Sequence, residues 1–199
     1  IVQVGNVEAS NRYVRNKIAD CNEVGIVCDL VHFEDSITES ELLIEIDKLN
    51  TSPSVTGFIV QFPLPKHISE KKVMEAISPE KDVDCFHPSN VANLWLGKEG
   101  IKPCTPQGII DLLDYGNIDL RGKHVVIVGR SNIVGLPVSK MCLDRNATVT
   151  ICHSKTKNLK FKMLEADIVV LGTGQPDFVD IDSFTAGQVV IDVSINFNS

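Results

Sequence analysis

Tyr13 and Lys17 stand four residues apart in a stretch, Ala9 to Val24, whose pattern is helical, so an aromatic face and an amine project from the same side. Such a pair can stack a flat ligand and deliver a proton donor to its edge; the same spacing also describes a half-exposed tyrosine beside a surface lysine. Ser10 belongs to the same stretch. Gln61 stands where an apolar run meets Phe62-Pro63-Leu64-Pro65, so its amide must find hydrogen-bond partners, either in a ligand site or on local backbone. Asp82 and Asp84 lie in Lys81-Asp82-Val83-Asp84-Cys85-Phe86-His87-Pro88, a loop after a helix. A carboxylate such as Asp84 can there accept two N–H donors from an amidine-like ring edge, or set a turn.

A second group of residues points to a nucleotide. The run His124-Val125-Val126-Ile127-Val128 breaks into Gly129-Arg130-Ser131-Asn132-Ile133-Val134-Gly135-Leu136-Pro137. A β-branched run, a glycine turn and a small-residue helix start are how a parallel strand hands a dinucleotide's pyrophosphate to a helix N-terminus. Gly129 and Gly135 are six positions apart with no second close glycine, which departs from the usual fingerprint. A plain strand, turn and helix would use Gly129 for a positive φ and Gly135 for close packing. The next strand, Ala147 to Cys152, ends in His153-Ser154-Lys155-Thr156-Lys157. A fold that prefers NAD places an Asp or Glu about 20 residues past the glycine turn for the ribose hydroxyls. No carboxylate stands at this tip, and Arg130 is able to clamp a phosphate with two hydrogen bonds, so the pattern favours NADP over NAD. Lys155 and Lys157 equally suit a solvated loop.

The elements that must hold these groups alternate. Strands are expected at Ile1 to Gly5, Val27 to Phe33 and Val55 to Gln61, with helices at Ala9 to Val24, Thr38 to Asn50 and Ser69 to Ile77. Thr38 and Glu41 form a capping box, and Leu42, Ile46 and Leu49 mark the apolar face behind it. Thr105 as N-cap and Pro106 at the first helical position open a helix to about Tyr115. Strands then follow near 124–128, 147–151, 167–171 and 189–193. This order predicts an α/β fold of two β/α domains, residues 1–104 and 105–199, the second a Rossmann-like doubly wound parallel sheet, with the active cleft between them. Ile1 falls in mid-strand and no helix follows the last strand, so both ends of the chain are expected to be truncated.

Composition removes other classes. The chain has 199 residues, 43% hydrophobic and 23% charged, which suits one or two globular domains. A net charge of −7 argues against nucleic acid or an anionic membrane as partner, so a phosphate must meet a local basic patch. No apolar stretch approaches the roughly 20 residues of a membrane span and no signal-peptide pattern opens the chain, which fits the cytoplasm. Six scattered cysteines, without CxxC pairs, read as reduced and mostly buried, and no set of residues has metal-ligand spacing.

Five segments together resemble the bifunctional methylenetetrahydrofolate dehydrogenase/methenyltetrahydrofolate cyclohydrolase family: the Tyr13 to Lys17 helix, Val60-Gln61-Phe62-Pro63-Leu64-Pro65, Pro79-Glu80-Lys81-Asp82-Val83-Asp84, Pro103-Cys104-Thr105-Pro106, and Val128 to Pro137. The resemblance runs from Ile1 to Asn196. It implies an enzyme that oxidises 5,10-methylenetetrahydrofolate with NADP and hydrolyses the methenyl product to 10-formyltetrahydrofolate, in one-carbon metabolism and purine biosynthesis, as a cytoplasmic homodimer. It also implies that Lys17 is the central acid/base group, that Tyr13 stacks on the folate, that Gln61 orients Lys17, and that Asp84 holds the pterin edge with Ser10 nearby. Gly129, Arg130, Ser131, Gly135, Ser154 and Thr173 would bind the cofactor, Arg130 and Ser154 at its 2′-phosphate. Two residues depart from the family pattern, which carries glycine where this chain has Cys85 and Ser194; a position needing positive φ would be strained on the order of 1 kcal/mol there. The Pro-Val-Pro-Gly-Gly-type loop that the family carries after the last strand is absent from this sequence. The alternatives are a monofunctional dehydrogenase, a non-catalytic NADP-binding module, and a shikimate dehydrogenase-like oxidoreductase.

Overall fold

The computed structural model describes residues 1–175 and 178–193. They divide into two compact units, Ile1–Ala92 and Asn93–Ser199. The sequence expectation sets the boundary near Cys104, at the next helix.

In the first unit, β1 (Val2–Val4) and β2 (Val31–Phe33) pair in parallel, with Val2 opposite Val31 and Val4 opposite Phe33. The strand expected over Val27 to Phe33 is thus realised only in its last three residues, because β1 offers no longer partner; Val27 is 89% exposed. The expected strand at Val55 to Gln61 is likewise reduced to isolated parallel bridges, Val2 with Val60 and Phe58 with Asp82. The Val2 N–H donates to the Ile59 carbonyl at 2.8 Å and the Gln61 N–H to the Val2 carbonyl at 2.8 Å, so the segment still lies along the other edge of β1. The helices are α1 (Glu8–Glu23), α2 (Glu39–Thr51) and α3 (Glu70–Ala76). Both halves of the Thr38 and Glu41 capping box form at the start of α2. Leu42 and Ile46 of α2 are wholly buried against Val2, Val4, Phe58, Val60 and Val73. A further helix, α4 (Pro88–Trp95), spans the division between the units.

The second unit holds α5 (Cys104–Tyr115), β3 (His124–Val128), α6 (Gly135–Asp144), β4 (Thr148–Cys152), α7 (Leu159–Leu164), β5 (Ile168–Leu171) and β6 (Val189–Asp192). The N-cap of α5 is Pro103, not Thr105; Pro106 stays in the first turn, where a missing N–H leaves no helical bond unmade. The four strands are all parallel in the order β4-β3-β5-β6. Alternate β3 side chains feed two cores: Val125 and Ile127 pack with Ile109, Ile110 and Val138, while Val126 and Val128 pack with Met163 and Leu171. That two-sided burial is the doubly wound layer the sequence order predicts. The chain leaves β3 toward β4 and returns across it to β5, so the strand order switches between β3 and β5, where open α/β sheets bind ligands.

Candidate active and cofactor sites

Ser10, Tyr13, Val14 and Lys17 recur along one stripe of α1; Ser10 and Val14 are buried and Tyr13 and Lys17 half-buried. Nothing caps the helix at Val7. The start is held instead by a side-chain relay: buried Gln3 donates to Asn11 Oδ1 at 2.6 Å, and Asn11 donates to Asn6 Oδ1 at 2.7 Å. Gly5 makes the turn into this helix at φ +76°, and any Cβ there would sit 1.8 Å from Asp35 Oδ1.

Lys17 Nζ donates to Gln61 Oε1 at 3.4 Å. The Gln61 NH2 group donates to the Phe62 carbonyl at 2.8 Å, which turns the amide oxygen toward the ammonium. Local backbone and lysine are therefore partners of the same amide, one at each end. Gln61 reaches this place because it ends the segment lying beside β1, and Lys17 because α1 follows β1.

The two aspartates separate cleanly. Asp82 is 2% exposed and takes three donors: the Phe86 N–H at 3.1 Å on one oxygen, and the His87 N–H at 2.8 Å and Asn90 Nδ2 at 2.9 Å on the other. Asp84, two residues on, is half-buried. Cys85 is buried with φ +59°, so the chain carries a side chain in the left-handed region where the family pattern has glycine. Ser194, the other departure, lies outside the described residues. The Phe62 and Phe86 rings, 6.2 Å between centroids, join the loop after Gln61 to the loop after Asp84.

In the second unit, Gly129 has φ +137°, and a Cβ on it would lie 2.7 Å from the carbonyl oxygen of Gly172, at the end of neighbouring β5. A Cβ on Gly135 would lie 2.2 Å from the carbonyl oxygen of Gly129, so the helix start sits directly on the turn. The first-turn donors of α6 are met by the loop itself. Ser131 Oγ accepts from the Val134 N–H at 3.1 Å and the Gly135 N–H at 3.5 Å, the Ser131 carbonyl takes the Leu136 N–H at 3.0 Å, and Pro137 has none to give. Ser131 Oγ thus meets two of the donors at the start of α6, and residues 130–133 beside it are exposed. Val128 pairs with Cys152, and the Gly129 N–H donates to the Cys152 carbonyl at 2.9 Å. Arg130 and Ser154 thus each stand two residues past a paired position, at adjacent strand tips. Among the described residues Arg130 has no carboxylate partner. A turn holds the second tip, where Thr156 Oγ1 accepts the His153 N–H at 2.8 Å. Burial pushes the Cys152 thiol up, with the Thr156 hydroxyl opposing, so the strand end carries a neutral thiol. Thr173, past β5, accepts from the Gln175 N–H at 3.4 Å.

The sequence reading singled out Asp84, gave Asp82 no role of its own, and passed over Gln3, Asn11 and Gly172. The string Gly172-Thr173-Gly174 at a strand end was a usable signal for the last. Among the described residues no helix is long and apolar enough to cross a membrane, and no group of three His, Cys, Asp or Glu could hold a metal.

Two family models match the chain: the catalytic domain of tetrahydrofolate dehydrogenase/cyclohydrolase over residues 1–84, and its NAD(P)-binding domain over residues 103–199. The bifunctional protein FolD of Bacillus cytotoxicus is 51% identical over 98% of this chain and 68% of its own length. The crystal structure of the bifunctional FolD methylenetetrahydrofolate dehydrogenase/cyclohydrolase of Campylobacter jejuni superposes with a TM-score of 0.95 at 45% identity, covering 98% of this chain and 70% of the other. The Trypanosoma brucei methylenetetrahydrofolate dehydrogenase-cyclohydrolase, solved with NADP cofactor and inhibitor, gives a TM-score of 0.92 at 34% identity, covering 97% and 66%.

Proposed function

The chain belongs to the tetrahydrofolate dehydrogenase/cyclohydrolase family, and from that premise we propose how its residues share two reactions. The protein oxidises 5,10-methylenetetrahydrofolate to 5,10-methenyltetrahydrofolate with NADP, then hydrolyses the methenyl compound to 10-formyltetrahydrofolate. NADP fits the residues present: glycines where any Cβ would strike backbone, an arginine and a serine at neighbouring strand tips, and no carboxylate there to repel a 2′-phosphate. Gly129, Arg130, Ser131, Gly135, Ser154 and Thr173 hold it, Arg130 and Ser154 at the 2′-phosphate. When bound, the nicotinamide supplies the hydride acceptor for the first reaction.

The folate side is carried by α1 and the two loops. Tyr13 stacks on the folate, Asp84 accepts N–H donors from the pterin edge, and Ser10 completes that group. Hydride transfer needs positioning more than proton chemistry. Hydrolysis differs, because the attacking water must lose one proton on adding to the methenyl carbon and the second as the formyl C=O forms, while the ring nitrogen that leaves must gain one. Lys17 is the group that handles these transfers, and Gln61 keeps it aimed. The observation that carries this reading is the Lys17 to Gln61 contact, with the amide fixed by Phe62. Cytoplasmic residence and a homodimer are part of the same proposal, as is a place in one-carbon supply, including that for purine biosynthesis.

The test is a paired assay of the wild type and Lys17→Met, following NADPH formation from 5,10-methylenetetrahydrofolate and loss of methenyl absorbance separately. Lys17→Met should lose the hydrolysis while still binding folate. A full hydrolysis rate in that variant would sink the assignment of Lys17, and NADPH formation without methenyl loss in the wild type would leave a dehydrogenase alone.

A further inference from the structure

The loop that carries Asp84 has no regular secondary structure to hold it, yet it is fastened on both sides. Upstream, Lys81 Nζ donates to the carbonyls of Leu49, at 3.0 Å, and Ser52, at 2.5 Å, at the C-terminal end of α2. The Lys81 carbonyl takes the Phe58 N–H at 2.9 Å, and Gly57 lets residues 81–83 come close, since a Cβ there would meet Val83 Cγ1 at 2.4 Å. Downstream everything converges on one carboxylate. Asp82 gathers the Phe86 and His87 N–H groups and the Asn90 amide, and Asn90 is itself tied to the Pro79 carbonyl at 2.8 Å. The chain from 82 to 87 is therefore drawn into a closed loop around Asp82, with Asp84 near its middle and Cys85 forced to φ +59°.

We infer that Asp82 is a positioning residue of the folate site, which sets the place of Asp84 by closing the 82–87 loop and touches no substrate itself. The inference rests on the reading that Asp84 holds the pterin edge. A carboxylate is needed because all three partners are donors. An asparagine offers one acceptor oxygen and one NH2, and in either orientation the NH2 faces an N–H donor. Asp82→Asn keeps the size of the side chain while opening the loop at one end, leaving a buried donor unmet.

The experiment measures KM and kcat in both reactions, and KM for NADP, for Asp82→Asn, Asp84→Asn and the double variant, with thermal unfolding as a check on folding. The expected result is a rise of about tenfold in KM for both folates in Asp82→Asn, the effect of losing a hydrogen bond to a charged group, with kcat and the NADP KM close to wild type. Because Asp82 acts through Asp84, the double variant should bind folate no worse than Asp84→Asn alone. Asn90→Ala, which removes one of the three donors, should move folate KM the same way by less, and carries the test if Asp82→Asn does not fold. Additive losses in the double variant, or an unchanged folate KM in Asp82→Asn and Asn90→Ala while Asp84→Asn is impaired, would overturn the inference alone. An unchanged folate KM in Asp84→Asn would overturn the role of Asp84 and the inference with it.

Discussion

Replacing Gly135 by alanine tests the nucleotide loop by a single methyl group. An alanine Cβ would stand 2.2 Å from the Gly129 carbonyl oxygen, 2.6 Å from its carbon and 3.0 Å from the Arg130 nitrogen, all backbone atoms. Ordinary contact begins near 3.4 Å, so helix and turn must part by more than an ångström. The helix cannot simply retreat, because Gly135, Pro137, Val138, Ser139 and Lys140 in its first turns are all buried. Overpacking of this kind costs about 1–3 kcal/mol, against which alanine's better helix propensity returns at most about 1 kcal/mol. For a chain of this size the net loss should lower Tm by several degrees, roughly 2–4 °C per kcal/mol. The displaced segment includes Arg130 and Ser131, so KM for NADP should rise while KM for the folate holds. Gly108→Ala is the control: it lies inside α5 with nothing within 4 Å of the new Cβ, and should stabilise by about 0.5–1 kcal/mol. Urea unfolding and NADP titration of the two variants would decide the matter. A Gly135→Ala protein as stable as Gly108→Ala, with unchanged NADP KM, would refute the reasoning.

Arg130→Ala should weaken NADP by about tenfold to a hundredfold, the range for charge-assisted hydrogen bonds, and leave NAD nearly untouched; equal losses for both cofactors in steady-state titrations would remove the phosphate-clamp argument. Glu39 is held below the usual glutamate range by the Lys72 ammonium and then by the Ser69 N–H. Because its folded value is depressed, its contribution is complete at neutral pH and is lost as the pH falls through the ordinary value of about 4.3 and on through the lower folded one. Glu39→Gln should therefore be less stable than wild type at pH 7 and converge with it in acid; an offset in urea midpoint that does not change with pH would contradict this.

What the sequence made legible follows from how local each signal is. The capping box at Thr38 and Glu41 lies within one turn of chain and forms as read. The Val125–Val128 run is buried on both faces as a parallel central strand should be. The failure in the strands is set at long range. Val27 to Leu30 has the composition of a strand, but β1 has nothing to pair with it. Ser131 also has a local part that its place in the glycine turn did not announce, since its hydroxyl accepts the Val134 and Gly135 N–H groups. The role of Asp82 was not legible, because it depends on burial and on three donors that the folded loop brings to one carboxylate.

β3 is hydrogen-bonded along both edges, and the pairing does not stop where the strand does. The Gly129 amide is still locked to the Cys152 carbonyl at 2.9 Å, and the Gly172 amide to the Val128 carbonyl at 2.9 Å. At the proposed nucleotide site these two peptide groups are thus already hydrogen-bonded before a ligand arrives. Little conformational entropy remains to be surrendered at these two roots, so more of the contact energy appears as affinity. On that reading selectivity is adjusted by changing one side chain at a strand tip, above backbone that is hydrogen-bonded to both neighbouring strands.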